Sequence, residues 1–495
     1  MAERFKNYIN GEWVNARSGE IFLNLNPADT GDVVGEFPKS DIRDVNDAVA
    51  AASAAFERWR KTPAPKRAEI IFKAADILIK RKEEIAREMT REMGKIIKES
   101  RGDVQEGIDT GFLAAGEGRR LFGFTTPSEL SNKFAMCVRM PVGVCAIITP
   151  WNFPMAIPTW KIFPALVAGN AIVFKPASDV PKTGYTLVKV LEEAGIPPGV
   201  INLVHGTGGD VGVPLARHKD VRVVSFTGSS DVGREINGIC GGMLKRVSCE
   251  LGGKNAQIVM QDADIDLAIE GALWGAFGTT GQRCTATSRL ILHEKIKGEF
   301  MEKFIDRTKR LKLGNGLDPT TDVGPVVNKG RIDFIQEYVE IGKKEGAKLL
   351  LGGHQQTDGE LKKGYFYAPT IFDNVQSKMR IAQEEIFGPV VVILTVSTLE
   401  EAIDVLNDTE YGLSASIYTR DVNNAFKAIE DIYTGVVYIN APTIGAEVHL
   451  PFGGTKSTGN GHREAAHTVY DVFTEWKTVF VDYSARLQKA QIDTH

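Results

Sequence analysis

An α/β fold organised around a doubly wound parallel sheet is predicted for this chain by three observations. At 495 residues it is too long for one ordinary core and fits two or three domains. From residue 142 onward, short apolar runs alternate with helical segments. Those runs are continuously apolar, as strands covered on both faces of a parallel sheet are.

Taken in order, residues 8–14 and 33–37 read as short strands and residues 44–60 and 66–94 as amphipathic helices. Between the helices, Thr62-Pro63-Ala64-Pro65 is a plain loop. Four units then pair a run with a helix: 142–148 with 155–168, 171–175 with 181–194, 200–204 with 211–218, and 221–226 with 231–241. Right-handed crossovers make these a Rossmann-like sheet. A second series starts at Asn255, with strands at 257–260, 289–292, 390–396 and 436–440. Its helices fall at 265–279, 300–310, 331–342 and 399–407, the first of them leading into a turn that carries Cys284. Residues 352–363, rich in glycine and charge, read as an exposed loop, and no internal repeat is visible.

Composition narrows the partners. A formal charge of -4 on so large a chain offers no basic field for nucleic acid or an anionic membrane. No apolar run approaches the roughly 18 to 20 residues that span a bilayer, and residues 1–19 do not have the pattern of a secretory signal. The five cysteines show no metal-ligand spacing, so no metal is expected, and their odd, sparse set suits a reducing compartment. A cytoplasmic protein is the expectation.

Ligands of such a sheet bind at the carboxyl ends of its strands, which directs attention to the residues just after each run. Lys175 ends one strand, and Thr227-Gly228-Ser229 ends another and opens a helix. Gly228 and Gly233 flank that helix start, where free N–H groups and the helix dipole favour a phosphate, although the usual G-x-G-x-x-G is absent. Pro150-Trp151-Asn152-Phe153-Pro154 sets a side-chain amide at a strand end, where its N–H can steady an oxyanion. Glu250 stands between an apolar strand and the turn Gly252-Gly253, where partial burial would raise its pKa towards that of a general base. Glu384-Glu385-Ile386-Phe387-Gly388-Pro389 offers paired carboxylates before a turn. Cys284 lies in Gly281-Gln282-Arg283-Cys284-Thr285, where the adjacent Arg283 is expected to lower the thiol pKa. Each of these has an ordinary structural reading when taken alone: an inert cysteine, a surface glutamate, a turn asparagine, a helix N-cap.

Together, in this order and at these separations, the motifs resemble those of the aldehyde dehydrogenase superfamily across nearly the whole chain. The resemblance implies that Cys284 is the nucleophile, Glu250 the general base and Asn152 the oxyanion donor, with Lys161 in a proton relay. It implies that Trp151, Lys175 and Ser229 contact the adenosine diphosphate part of a nicotinamide cofactor, NAD or NADP, and that Glu385 and Phe387 hold its nicotinamide ribose and ring. Phe153, Arg283, Thr285 and Phe452 are the expected aldehyde contacts. In this reading residues 1–118 and 142–252 form the cofactor domain and 253–453 the catalytic domain. Residues 119–141 and 472–482 form a small β oligomerisation element, which implies a homodimer or homotetramer. The chemistry is thiolate addition to the aldehyde, loss of hydride from the tetrahedral adduct, and hydrolysis of the resulting thioester.

Two departures from the family pattern stand out. Members commonly carry Gly-x-Gly-Arg-Glu near the C-terminus, whereas this chain reads Gly459-Asn460-Gly461-His462-Arg463-Glu464, so Glu464 is left out of the relay. Ser178 stands where many NAD-preferring members have a glutamate, which removes repulsion of a 2'-phosphate and points to acceptance of NADP. Arg283, beside polar Thr285, suggests a substrate with a distal carboxylate. The run 281–289 resembles members acting on 2-oxoglutarate semialdehyde, and Pro442-Thr443-Ile444-Gly445-Ala446-Glu447 those acting on aminoadipate semialdehyde. A coenzyme-A-acylating enzyme and a non-catalytic structural protein on the same fold are the alternatives; the first typically lacks the base and the second the nucleophile or base.

Overall fold

Strands that carry almost nothing but β-branched and small apolar residues have only one stable place, between two layers of helices, and the computed structural model, which describes residues 2–492, puts them there. The first sheet has seven strands in the order Arg246–Glu250, Val221–Thr227, Val144–Ile148, Ala171–Lys175, Ile201–Leu203, Asn7–Ile9 and Glu12–Val14. The first five are mutually parallel, and the N-terminal hairpin closes the edge antiparallel. The strand order reverses between Val144–Ile148 and Val221–Thr227, the place where such sheets open a crevice at their carboxyl ends.

The second sheet also has seven strands, ordered Lys348–Leu351, Thr370–Asp373, Val390–Val396, Arg289–His293, Ala256–Val259, Ser414–Tyr418 and Val436–Ile439. It is parallel except for Lys348–Leu351 at one edge. A three-stranded antiparallel sheet joins the hairpin Phe124–Pro127 and Lys133–Pro141 to the C-terminal strand Thr474–Asp482, in continuous register from Thr474 opposite Pro141 to Asp482 opposite Lys133. No helix among the described residues is long and apolar enough to cross a membrane.

Several elements depart from expectation. Residues 66–94 form two helices, Ala64–Lys80 and Lys82–Met93, because Arg81 leaves helical geometry at φ −104°, ψ 9°. The break lets Ile85, Ala86, Met89 and Met93 be buried by the second helix. Ile97–Glu117 is a long helix that the sequence reading left unassigned. Its glycines weaken helix propensity but permit close packing: a Cβ at Gly107 would lie 2.9 Å from Met155, and one at Gly111 2.8 Å from Ala75. Ser414–Tyr418, also unassigned, is wholly buried between Ala256–Val259 and Val436–Ile439.

Candidate active site

The nucleophile turn starts where helix Ile265–Phe277 stops. Thr279, Thr280 and Gly281 all take positive φ, at 50°, 58° and 68°, and reverse the chain. At Gly281 this is obligatory, since a Cβ there would lie 2.1 Å from the carbonyl oxygen of Gly388. Asn255 then pins the turn: its Nδ2 donates to the carbonyls of Cys284 (2.7 Å) and Ala286 (3.0 Å), while its Oδ1 accepts the Ser414 N–H at 3.0 Å. Thr443 adds a hydroxyl to the Thr285 carbonyl at 2.6 Å, which gives the 442–447 segment a positioning role.

Cys284 is half-buried, and its thiol is pushed above its ordinary pKa by burial and then by the charges of Glu250 and Glu385. The Thr285 N–H, directed at the sulfur, is the one contribution that favours the thiolate. This corrects the expectation that Arg283 tunes the thiol. Arg283 turns the other way, donating through Nη2 to Glu99 at 3.0 Å and through Nε to Thr279 at 2.9 Å. Its guanidinium lies 5.3 Å from the Phe153 ring and 5.9 Å from that of Trp274. Local sequence cannot foresee this, because Glu99 comes from the first turn of a distant helix.

Two cavities flank the nucleophile turn. The first, of about 520 Å³, lies at the carboxyl ends of the first sheet, and Trp151, Asn152, Gly228, Ser229, Glu385 and Phe387 all line it together with Cys284. The second, of about 570 Å³, is lined by Arg283 and Phe153, the chain neighbours of Cys284 and Asn152, with Glu99, Glu106 and Trp274. Cys284 and Asn152 thus line the first cavity, and a chain neighbour of each lines the second.

Asn152 is buried at the end of strand Val144–Ile148, and its Oδ1 has no hydrogen-bond partner among the described residues. Phe153 beside it is held between two cations, with Lys95 4.1 Å and Arg283 5.3 Å from the ring. Lys95 forms a fully buried ion pair of 2.8 Å with Asp103, whose other oxygen takes the Ala156 N–H at 2.7 Å. Breaking such a pair costs about 3–5 kcal/mol, so this cluster ties the asparagine loop firmly to helix Ile97–Glu117.

Glu250 ends strand Arg246–Glu250, is 2% exposed, and has an Oε1 without a partner among the described residues. Burial, followed by the charge of Glu464, raises its pKa well above the ordinary carboxyl range, while Lys161 and Arg463 oppose the rise. Lys161 is wholly buried and donates to Ser225 Oγ at 3.0 Å and to the Glu464 carboxylate. Glu464 thus pairs with Lys161 despite the interposed histidine. Gly461 turns the chain at φ 95°, and Glu464 is fixed by a backbone bridge to Phe452.

Glu385 accepts the Gly253 N–H at 3.0 Å and lies so close to Gly252 that a Cβ there would sit 2.4 Å from its Oε2. Burial pushes its carboxyl up to about 7, against the pull of that N–H, Arg331 and Lys254. Phe387 holds a strained φ of 53° and meets the Trp151 ring edge-on at 5.3 Å. Arg331, which the sequence reading missed, secures this loop by donating to the carbonyls of Ile386 and, at 3.1 Å, Phe387.

Other expected residues fall elsewhere. Gly233 does not line the first cavity; it allows its helix to pack on Leu251, from which a Cβ would be 2.3 Å away. Lys175 and Ser178 also lie outside that cavity, at the next strand end, with Lys175 Nζ on the Pro176 carbonyl (2.9 Å) and Ser178 Oγ on that of Gly206 (3.0 Å). Thr285 is buried and lines neither cavity. Phe452 packs edge-on against Trp160 at 5.0 Å, in an apolar cluster that Cys284 touches.

The first cavity suits a dinucleotide. The N-terminus of helix Ser230–Gly242 opens on it beside the side-chain-free Gly228, as phosphate binding requires, and buried Thr227 Oγ1 has no partner among the described residues. Comparison with known proteins agrees. The model described as "Aldehyde dehydrogenase family" matches residues 13–479. The chain is 45% identical to the alpha-ketoglutaric semialdehyde dehydrogenase of Bacillus subtilis, over 96% of this chain and 98% of that one. It is 40% identical to the 2,5-dioxopentanoate dehydrogenase of Saccharolobus solfataricus, over 95% and 98% respectively. Among solved structures, betaine aldehyde dehydrogenase from Staphylococcus aureus in complex with NAD+ superposes with a TM-score of 0.95, at 35% identity and coverage of 97% and 96%. A thiol in the lining of a crevice at the switch point of the sheet, in a chain matched almost from end to end, leads to one assignment: this protein belongs to the aldehyde dehydrogenase family.

Proposed function

We propose that this NAD(P)-dependent aldehyde dehydrogenase acts on the semialdehyde of a short dicarboxylic acid, 2,5-dioxopentanoate in the first instance, with Cys284 as nucleophile, Glu250 as base and Asn152 as oxyanion donor. The observation that carries the chemistry is that Cys284 and Asn152 line the first cavity together while their chain neighbours Arg283 and Phe153 line the second. The Cys284 sulfur bonds to the aldehyde carbon, and the carbonyl oxygen becomes an oxyanion that the Asn152 amide steadies, a contribution typically worth about 3 kcal/mol. When bound, the nicotinamide supplies the hydride acceptor. Glu250 then takes a proton from the water that attacks the thioester carbon, and the Cys284 thiolate leaves. Lys161 and Glu464 pass that proton away from Glu250, whose carboxyl already feels both charges.

Trp151, Gly228, Ser229, Glu385 and Phe387 would hold the cofactor in the first cavity, with Lys175 and Ser178 at its adenosine end. Ser178 brings no carboxylate against a 2'-phosphate, which supports use of NADP beside NAD. The oligomer would form through the three-stranded sheet, whose Phe124, Trp476 and Phe480 are exposed. The enzyme would act in the cytoplasm, in keeping with its five free cysteines.

The substrate class is supported by the names of the relatives and by the second cavity. Five carboxylates line that cavity, which at first sight would favour a cationic aldehyde. Two of the inner ones are answered, Glu99 by Arg283 and Asp103 by Lys95, Glu270 and Asp322 are exposed, and Glu106 stays unpaired among the described residues. Arg283 Nη1 makes no hydrogen bond among the described residues and is the open edge behind the nucleophile. The test is a kinetic panel of 2,5-dioxopentanoate, 5-oxopentanoate, pentanal and betaine aldehyde, followed by reduced-cofactor absorbance. The two acid aldehydes should show the highest kcat/KM; a higher value for betaine aldehyde or pentanal would replace the reading.

A further inference from the structure

Glu106 is the half-buried carboxyl of the second cavity that the ion pairs leave over. It projects from helix Ile97–Glu117, is half-buried, and its carboxyl makes no hydrogen bond or ion pair among the described residues. It shares the cavity with Arg283 and Phe153, and four elements bring charged or titratable groups to it. Asp103 and Asp109 come from its own helix, Lys95 from the segment before it, Arg283 from the nucleophile turn, and Tyr438 from strand Val436–Ile439. Tyr438 feels the charges of both Cys284 and Glu106.

We propose that Glu106 is a specificity residue that joins Arg283 in gripping the far carboxylate of the substrate, a role that rests on the semialdehyde reading. Arg283 supplies the charge through its open Nη1. Glu106 supplies a hydrogen bond from its own O–H to the substrate carboxylate, which as a charge-assisted bond is roughly twice as strong as a neutral one. The proton is in place at neutral pH: burial, then the charges of Asp103 and Asp109, push the Glu106 carboxyl up to about 8, outweighing Lys95 and Arg283. Once that proton is lost, the same group repels the substrate carboxylate. Selectivity for acid aldehydes therefore falls as the pH rises through the titration of Glu106.

The test measures kcat/KM for 5-oxopentanoate and for pentanal between pH 6.5 and 9.5, in the wild type, Glu106→Gln and Glu106→Ala. Their ratio cancels the titration of Cys284 and Glu250, which serve both aldehydes. The wild-type ratio should drop roughly tenfold across the alkaline range, and Glu106→Ala should lower it by a similar factor at pH 7. Glu106→Gln, whose amide donates at every pH, should give a level ratio. A Glu106→Gln ratio that follows the wild-type pH curve, or a Glu106→Ala ratio equal to the wild type, overturns the role of Glu106 alone. A wild type that shows no preference for the acid aldehyde at any pH overturns both this role and the semialdehyde reading.

Discussion

On one side of Cys284 the walls are strand ends, a helix N-terminus and loops held by backbone bonds. Glu385 rests on the Gly253 N–H, and Arg331 holds the carbonyls of Ile386 and Phe387. On the other side the walls are side chains brought together by packing: Arg283 on Glu99, Phe153 between Lys95 and Arg283, and Glu106 across from them. Under the proposed function the first kind of surface would recognise groups common to every nucleotide, and change little when a side chain changes. The second would recognise one class of small molecule, and single substitutions would retune it.

The largest test of this division is Cys284→Ala, which removes the residue both sides share. Turnover should fall by roughly 10⁴-fold or more, while cofactor affinity, read by fluorescence titration, stays as it was. A matching loss of cofactor affinity would mean that the two sides do not vary independently.

Glu250→Gln should slow turnover by roughly 10²- to 10⁴-fold and let acyl-enzyme accumulate, visible as an intact-mass increase. Because burial and Glu464 raise the Glu250 pKa, its basic form fills only as pH rises, so wild-type deacylation should climb with pH. Loss of that climb in Glu250→Gln, in single-turnover assays, checks the assignment; normal turnover removes it.

The smallest effect is expected from Ser178→Glu, at the far end of the cofactor side. A carboxylate there should cut kcat/KM for NADP about tenfold against NAD. The ratio between acid and neutral aldehydes should not move, and a shift in that ratio would break the separation of the two sides.

Much of the scaffold was legible. Ala171–Lys175, Pro181–Ala194, Val390–Val396 and Leu399–Asn407 lie at their expected bounds, because continuous apolar runs and periodic helices announce themselves locally. Ile97–Glu117 did not, since glycines at 102, 107, 111 and 116 blur the signal, and those at 107 and 111 are explained only by what packs against the helix. Ser414–Tyr418 is half small and polar, and its central position depends on the strands on either side of it.

By itself, then, the sequence determined the parallel α/β architecture and the motifs at its turns: Asn152 and Glu250 follow apolar runs, Cys284 follows a glycine turn at the end of a helix, and Glu385 precedes a turn. Tertiary structure alone decided which charges meet. Arg283 answers Glu99 across 184 positions, and Lys161 answers Glu464 across 303. The turn around Cys284 is held by Asn255 and Thr443, hydrogen bonds that no local pattern announces. The physical reason is range: conformation and polarity are set within a few residues, whereas an ion pair or a buried hydrogen bond exists only where packing brings its two ends within about 3 Å.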